Sequence, residues 1–150
     1  YPSADIIPLG KRICDRVGSE FVSSETYSYT EAKELANSLC EQFASGEFDR
    51  LGIISTKYVN MMVQEAQIKW ILPLSVASSK ESSSMIFEPD APSVLDAAVP
   101  EYVAAFIIAC VRESFACEVA ARRMAMDSAE KNAQQMQVLE EVETRKMLGK

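Results

Sequence analysis

The apolar and polar positions divide the chain of 150 residues into a series of short elements followed by one long helix. The short elements occupy roughly the first two thirds, where apolar runs alternate with amphipathic stretches. Residues 101–147 then contain neither Gly nor Pro, and at 1.5 Å per residue they predict a helix about 70 Å long. A compact domain of this size is only roughly 40 Å across. The C-terminal half of the helix is therefore expected to project beyond its own domain.

The short elements alternate between the two types of secondary structure. Short apolar runs bounded by turn residues favour strands, and apolar positions recurring every three or four residues favour helices. Strands are predicted at residues 4–9, 20–25, 49–60, 61–74 and 85–87, and helices at 10–19 and 28–46. The two longest strands are expected to pair antiparallel. This order predicts an α/β fold, with a Rossmann-like layer that contains a mixed sheet and flanking helices.

Several local signals place the ends of these helices. Ser28 or Thr30 is a suitable N-cap for the second helix, and Gly46 is a suitable stop. Ser93 is predicted to cap the long helix, while Pro100 is expected either to kink it or to mark a fresh start.

The predicted division of the chain has two parts. Residues 1–92 form an α/β globular domain, and residues 93–150 form the long helix, of which 101–115 packs on the domain. The apolar residues Phe106, Ile107, Ile108 and Val111 supply that packing. The serine-rich stretch 75–85 is predicted to be a loop.

A narrow apolar stripe continues along the projecting half of the helix. It recurs at alternating steps of four and three residues, with Arg122 interrupting it, and comprises Phe115, Val119, Met126, Ala129, Ala133 and Met136. Such a stripe predicts half of a coiled coil. Nothing else in the chain is long enough to be its partner. After Met136 the next apolar positions, Leu139 and Val142, leave this register.

Composition and charge exclude several classes of function. A hydrophobic content of 48% and a charged content of 25% are typical of globular proteins. The net charge of −7 argues against a nucleic-acid partner, which would favour a basic surface. The apolar runs are shorter than the roughly 18 residues that span a bilayer.

Motifs for catalysis, cofactors and metals are absent from the sequence. It has no His, no GxGxxG, no GxxxxGK[ST] and no GxSxG. Its four cysteines have no CxxC spacing and are expected to be buried apolar residues rather than metal ligands. Glu113 and Glu118 are five residues apart on a helix, so they do not form a facing acid pair. We therefore expect no catalytic residue, no cofactor site and no metal site.

Residues 100–133, "PEYVAAFIIACVRESFACEVAARRMAMDSAEKNA", resemble the C-terminal helix of the gamma subunit of F-type ATP synthases. The resemblance continues upstream, in order, through "GKR", "GEFDRLGIISTKYVN", "ILPL", "FEPD" and "VLDAAVP". The matching positions on the helix are Pro100, Tyr102, Glu113, Ser114, Ala116, Glu118, Ala120, Ala121, Arg122, Ala125, Met126, Ala129, Asn132 and Ala133. Relative to that family, the N-terminal helix and the first strand of the sheet are missing.

The resemblance implies a function without catalysis. It implies a central rotor that couples proton flow to ATP synthesis by rotation, while the chemistry takes place on partner subunits. The implied partners are the alpha and beta subunits of the catalytic head, a stalk subunit of the epsilon or delta type, the membrane c-ring and the missing N-terminal gamma helix. The implied location is peripheral, on the inner face of an energy-transducing membrane. The stripe, with Glu118, Arg122 and Asn132 beside it, is implied to form the coiled-coil seam or subunit contacts.

A second interpretation does not depend on the resemblance. The chain is then an α/β binding module whose helical arm recruits a partner through a coiled coil. Its motivation is the seam itself, which has no partner within the chain. The two interpretations differ in the partner that they predict, and both expect no enzymatic activity.

Overall fold

A short sheet and three helices make up the described part of the chain, which in this computed structural model comprises residues 4–20, 22–74 and 87–149. The elements are α1 (Lys11–Val17), α2 (Tyr29–Ser45), β1 (Leu51–Tyr58), β2 (Gln64–Leu72) and α3 (Ala91–Leu148). The predicted loop at 75–85 lies outside the described residues, as do all but Phe87 of the strand predicted at 85–87. The remaining elements confirm an α/β class of fold.

The sheet is an antiparallel hairpin of β1 and β2, as predicted for the two longest strands. Ile54 lies opposite Ile68 and Ser55 opposite Gln67. Near the base of the hairpin the register shifts, so that consecutive residues Ile71 and Leu72 are both buried. Strict alternation would place these two side chains on opposite faces, and the irregularity lets both enter the core.

The strands predicted at 4–9 and 20–25 are wrong, because their described residues contain no strand. The two stretches still approach each other, since the Gly10 N–H donates to the Val22 carbonyl at 2.9 Å. A strand needs a neighbouring sheet edge, and part of the outer edge of β1 is occupied by side chains of α3, as described below. The described residues accordingly contain no parallel strand pair, and the predicted Rossmann-like mixed sheet is not seen in them.

Helix α2 begins with a reciprocal cap at Ser28, the first of the two predicted candidates. The Glu31 N–H donates to Ser28 Oγ at 3.2 Å, and the Ser28 N–H donates to Glu31 Oε2 at 2.7 Å. The Ser28 hydroxyl also donates to Glu31 Oε2, at 2.7 Å, and the two bonds donated by Ser28, chiefly the one from its backbone N–H, hold the pKa of Glu31 below its usual value. Gly46 ends the helix at φ 80°, a conformation that glycine adopts at little cost.

Helix α3 starts earlier than predicted and continues through its proline. Asp90 is the N-cap instead of Ser93, because the Asp90 carboxylate accepts the Ser93 N–H at 2.8 Å. The same contact lowers the pKa of Asp90. Pro92 lies in the first turn, where no intrahelical N–H is needed. Pro100 lies inside the helix without ending it.

The core lies where α2 crosses the first half of α3. Ala32 and Ala36 of α2 are fully buried, and their small side chains permit close approach of Val103 and Ala104, which are also fully buried. Ile107, Val111, Leu39, Ile71 and Leu72 complete the buried cluster around them. This packing fixes the direction in which α3 leaves the core.

Candidate functional site

The candidate site is the surface of α3 from Phe115 onward, and the last buried residue of the helix is Ala120. Phe115 is half-buried, and the other predicted seam residues are exposed: Glu118, Val119, Arg122, Met126, Ala129, Asn132, Ala133 and Met136. The exposed fraction rises along the stripe, from 44% at Val119 to 58% at Met126 and 71% at Met136. The stripe is therefore free to accept another surface along most of its length.

The helix is held to the hairpin just before the stripe begins. The Thr56 N–H donates to Ser114 Oγ at 3.2 Å, and the Tyr58 N–H donates to Glu113 Oε1 at 3.2 Å. The Cys117 thiol donates to the Thr56 carbonyl at a Sγ–O distance of 3.7 Å. These side chains satisfy backbone groups on the outer edge of β1 that a further strand would otherwise use.

Sequence reasoning missed this edge contact. It treated Glu113 as a possible member of an acid pair and, like Ser114, as a position in a family pattern. The available signal was three consecutive polar residues, Arg112 to Ser114, in an otherwise apolar part of the helix. Their role depends on β1, which lies more than fifty residues earlier in the chain.

The Cys117 thiol beneath this contact is buried. Burial, followed by the nearby Glu113 carboxylate, raises the pKa of Cys117 above its usual value. A neutral thiol is a poor nucleophile and a poor metal ligand. Cys14 and Cys110 are also buried, and Cys40 is partly so, which agrees with the expectation of structural cysteines. In the described part of the chain, no group of Cys, Asp and Glu side chains is arranged to hold a metal ion.

Two contacts fix the first half of α3 against the preceding elements. The Glu101 carboxylate pairs with Lys33 of α2 and accepts a hydrogen bond from the Tyr29 hydroxyl. Directly before the edge contact, the Arg112 guanidinium donates to the Glu25 and Tyr27 carbonyls at 2.9 and 3.0 Å. Together with the core, they make this half of the helix a rigid base for the projecting half.

A groove lies where the stripe emerges beside the hairpin turn. It encloses about 450 Å³ between Tyr58 and Met61 on one side and Phe115 and Val119 on the other. Ala116 and Ala120 form part of its lining, and Arg123 stands at its end. Phe115 and Val119 are thus the only two of the nine predicted seam residues that line this groove.

The two adjacent arginines differ in their surroundings. Arg122 Nη2 lies 2.5 Å from Glu118 Oε1, an ion pair within the helix. Arg123 has no carboxylate within ion-pair distance among the described residues. The two predicted seam residues Glu118 and Arg122 are therefore brought together, whereas the charge of Arg123 is left uncompensated.

The outer face of the hairpin is a second apolar surface. Ile54, Ile68 and Trp70 are exposed by 75%, 53% and 51%. The Trp70 ring covers Gly52 so closely that a Cβ at that position would lie 2.9 Å from it. Arg50 stands 6.0 Å from the centre of the same ring. Trp70 is thus on a surface face rather than in the core.

By length and composition alone, α3 contains a stretch apolar enough to cross a membrane, with a mean hydropathy of 1.9. The expectation that the apolar runs are too short is therefore wrong on that criterion. The helix contains Val103, Ala104 and Ile107 of the core, and Glu101 pairs with Lys33. Core helices of water-soluble proteins satisfy the same criterion, so this stretch is weak support for a membrane span.

Comparison with known proteins extends the resemblance to nearly the whole chain. A family model described as ATP synthase matches residues 2–145. Three proteins named ATP synthase gamma chain are similar to it. That of Mycoplasmopsis pulmonis is 35% identical over 79% of this chain, that of Kineococcus radiotolerans 36% over 75%, and that of Mycoplasma mobile 33% over 85%.

The relatives are longer than this chain. The matched regions cover 44%, 41% and 46% of the three proteins. The chain therefore spans somewhat less than half the length of the curated relatives that it matches.

Proposed function

Because this chain belongs to the ATP synthase gamma chain family, we propose that it acts as the central rotor subunit of a proton-translocating F-type ATP synthase. In this role it couples proton flow to ATP synthesis by rotation. The chain itself performs no catalysis, and the reaction takes place on partner subunits.

The main support for the proposal is the exposed, projecting half of α3. Beyond Ala120 the helix extends about 42 Å to Leu148 at 1.5 Å per residue, and none of its residues there is buried. A helix with an exposed apolar stripe at this spacing gains stability by packing on another helix. In a rotor, that helix is the N-terminal gamma helix, and the resulting coiled coil transmits torque.

The base of α3 supports the same role. Torque transmission requires that the helix keep its direction relative to the globular part. The ion pair at Glu101 holds the helix at one point, and about three turns later the carbonyl contacts of Arg112 and the edge contacts of Glu113 and Ser114 hold it again. The residues proposed to meet the catalytic head lie beyond these contacts, on the free half.

The proposed partners are the alpha and beta subunits around the projecting helix, and an epsilon- or delta-type subunit and the c-ring at the globular end. The protein is then peripheral to an energy-transducing membrane, on its inner face. The division into a globular part at 1–92 and a helix at 93–150 belongs to the same proposal. The proposed function involves neither nucleic acid nor a cofactor.

The test is the native mass and composition of the assembly that contains this chain. We expect a complex of several hundred kilodaltons that includes alpha and beta subunits. A lone chain or a homodimer would contradict the rotor and would favour the second interpretation, a binding module with a helical arm.

A pair of variants tests whether the stripe is the contact surface. Met126→Asp places a charge in the seam, and an unpaired buried charge costs several kcal/mol. Ser128→Asp adds the same charge at an exposed position on another side of the helix. We expect Met126→Asp to lose the assembly and Ser128→Asp to retain it. Equal retention by both variants would show that Met126 is outside the contact.

A further inference from the structure

Arg123 lies near the seam, and the contacts described above assign it no role. It follows Arg122 directly, so it flanks the stripe at the position that in a coiled coil faces the edge of the partner helix. It also stands at the end of the apolar groove formed with Tyr58 and Met61. A helix packed on the stripe would pass directly beside it.

The charge of Arg123 stands beside the groove without an ion-pair partner among the described residues, and most other cations of the chain also lack one there. The chain carries a net charge of −7, yet no carboxylate lies within ion-pair distance of this guanidinium in the described part. Arg122 already engages the nearest acid one turn back, Glu118. When a helix covers the groove, water is removed from around Arg123. A cation that loses water requires a carboxylate to compensate it.

We propose that the helix that covers this groove carries an Asp or Glu that pairs with Arg123 beside its own apolar stripe. An aliphatic side chain of that helix fills the groove between Met61 and Val119. The proposal rests on the proposed function, since it defines the chemistry of the helix that the rotor requires. The carboxylate fixes the register of the two helices, because a shift by one turn would leave both charges unpaired.

The experiment uses chemical coupling in the assembled complex. Arg123→Lys replaces the guanidinium with a primary amine, which a carbodiimide joins to an adjacent carboxylate as an amide with loss of water. We expect a cross-linked peptide that joins residue 123 to an Asp or Glu on the N-terminal gamma helix. The matched control is Arg122→Lys, which is expected to couple within the chain to Glu118, only 2.5 Å from Arg122 in the structure.

The strength of the pair is tested by neutralisation. Arg123→Gln is expected to weaken assembly about thirtyfold or more, the order expected when one member of a desolvated ion pair is removed. Lys131→Gln is the control, because it removes one positive charge from an exposed position on the opposite side of the helix from the stripe. We expect Lys131→Gln to assemble like the unmodified chain.

The outcomes separate this proposal from the rotor itself. If the unmodified chain forms no complex with alpha and beta subunits, the proposed function fails. If the complex forms but Arg123→Gln is neutral and Arg123→Lys gives no coupling to a partner helix, the pairing alone is overturned. Coupling between two copies of this chain would identify a second copy as the occupant and would also overturn it.

Discussion

At the scale of single residues, we predict opposite effects on the free energy of unfolding for alanine substitutions of two serines, of which one is half-buried and the other buried. Ser114 Oγ accepts the Thr56 N–H, so Ser114→Ala leaves a backbone donor at the edge of β1 without its acceptor. Ser55 is buried, and its hydroxyl has no hydrogen-bond partner among the described residues. We expect Ser114→Ala to lower the free energy of unfolding by about 1 kcal/mol, and Ser55→Ala to leave it unchanged or raise it. Urea unfolding followed by the fluorescence of the single tryptophan, Trp70, measures both. The reverse order of the two variants would disprove the assigned contacts.

At the scale of elements, the junction between α2 and α3 predicts a dependence on pH. The hydrogen bond from Lys33, followed by that from Tyr29, lowers the pKa of Glu101 below 4.5. The unfolded chain therefore binds this proton more readily than the folded chain. The stabilisation is present above the unfolded pKa and is lost as the pH falls through the folded pKa.

Glu101→Gln removes this ionisation and should flatten the fall in melting temperature as the pH is lowered through 4.5. Part of the acid sensitivity will remain, because the pKa values of Glu31 and Asp90 are also lowered by their capping contacts. Thermal unfolding at stepped pH checks the prediction, with Glu31→Gln as the comparison. An acid profile identical to that of the unmodified chain would exclude a stabilising role for the Glu101 contacts.

The elements also show what sequence can predict. The hairpin, α2 and the long helix were predictable because their signals are local: periodicity, the Ser28 cap and the stop at Gly46. The absence of strands at 4–9 and 20–25 was not predictable, because a strand forms only beside the edge of another strand. The stripe from Phe115 to Met136 followed from spacing alone. The contacts of Glu113 and Ser114 could not be predicted from spacing, because they depend on where the fold places β1.

At the scale of the whole molecule, stability and the proposed function are carried by different halves of α3. Its buried residues end at Ala120, and the contacts with α2 and β1 lie at or before that point. The predicted seam lies largely after it. A chain that ends at Met124 should therefore unfold with a free energy within about 0.5 kcal/mol of the full chain, since exposed positions contribute little. The same chain should fail to assemble with a partner helix, because Met126, Ala129 and Met136 are gone.

The comparison is Ile107→Ala in the full chain, which opens a cavity in the core and should cost about 2–5 kcal/mol. Urea unfolding and native mass measured on both proteins test the separation. A shortened chain that is destabilised as much as Ile107→Ala would mean that the free half of α3 supports the fold itself, and the seam would then have to be sought elsewhere.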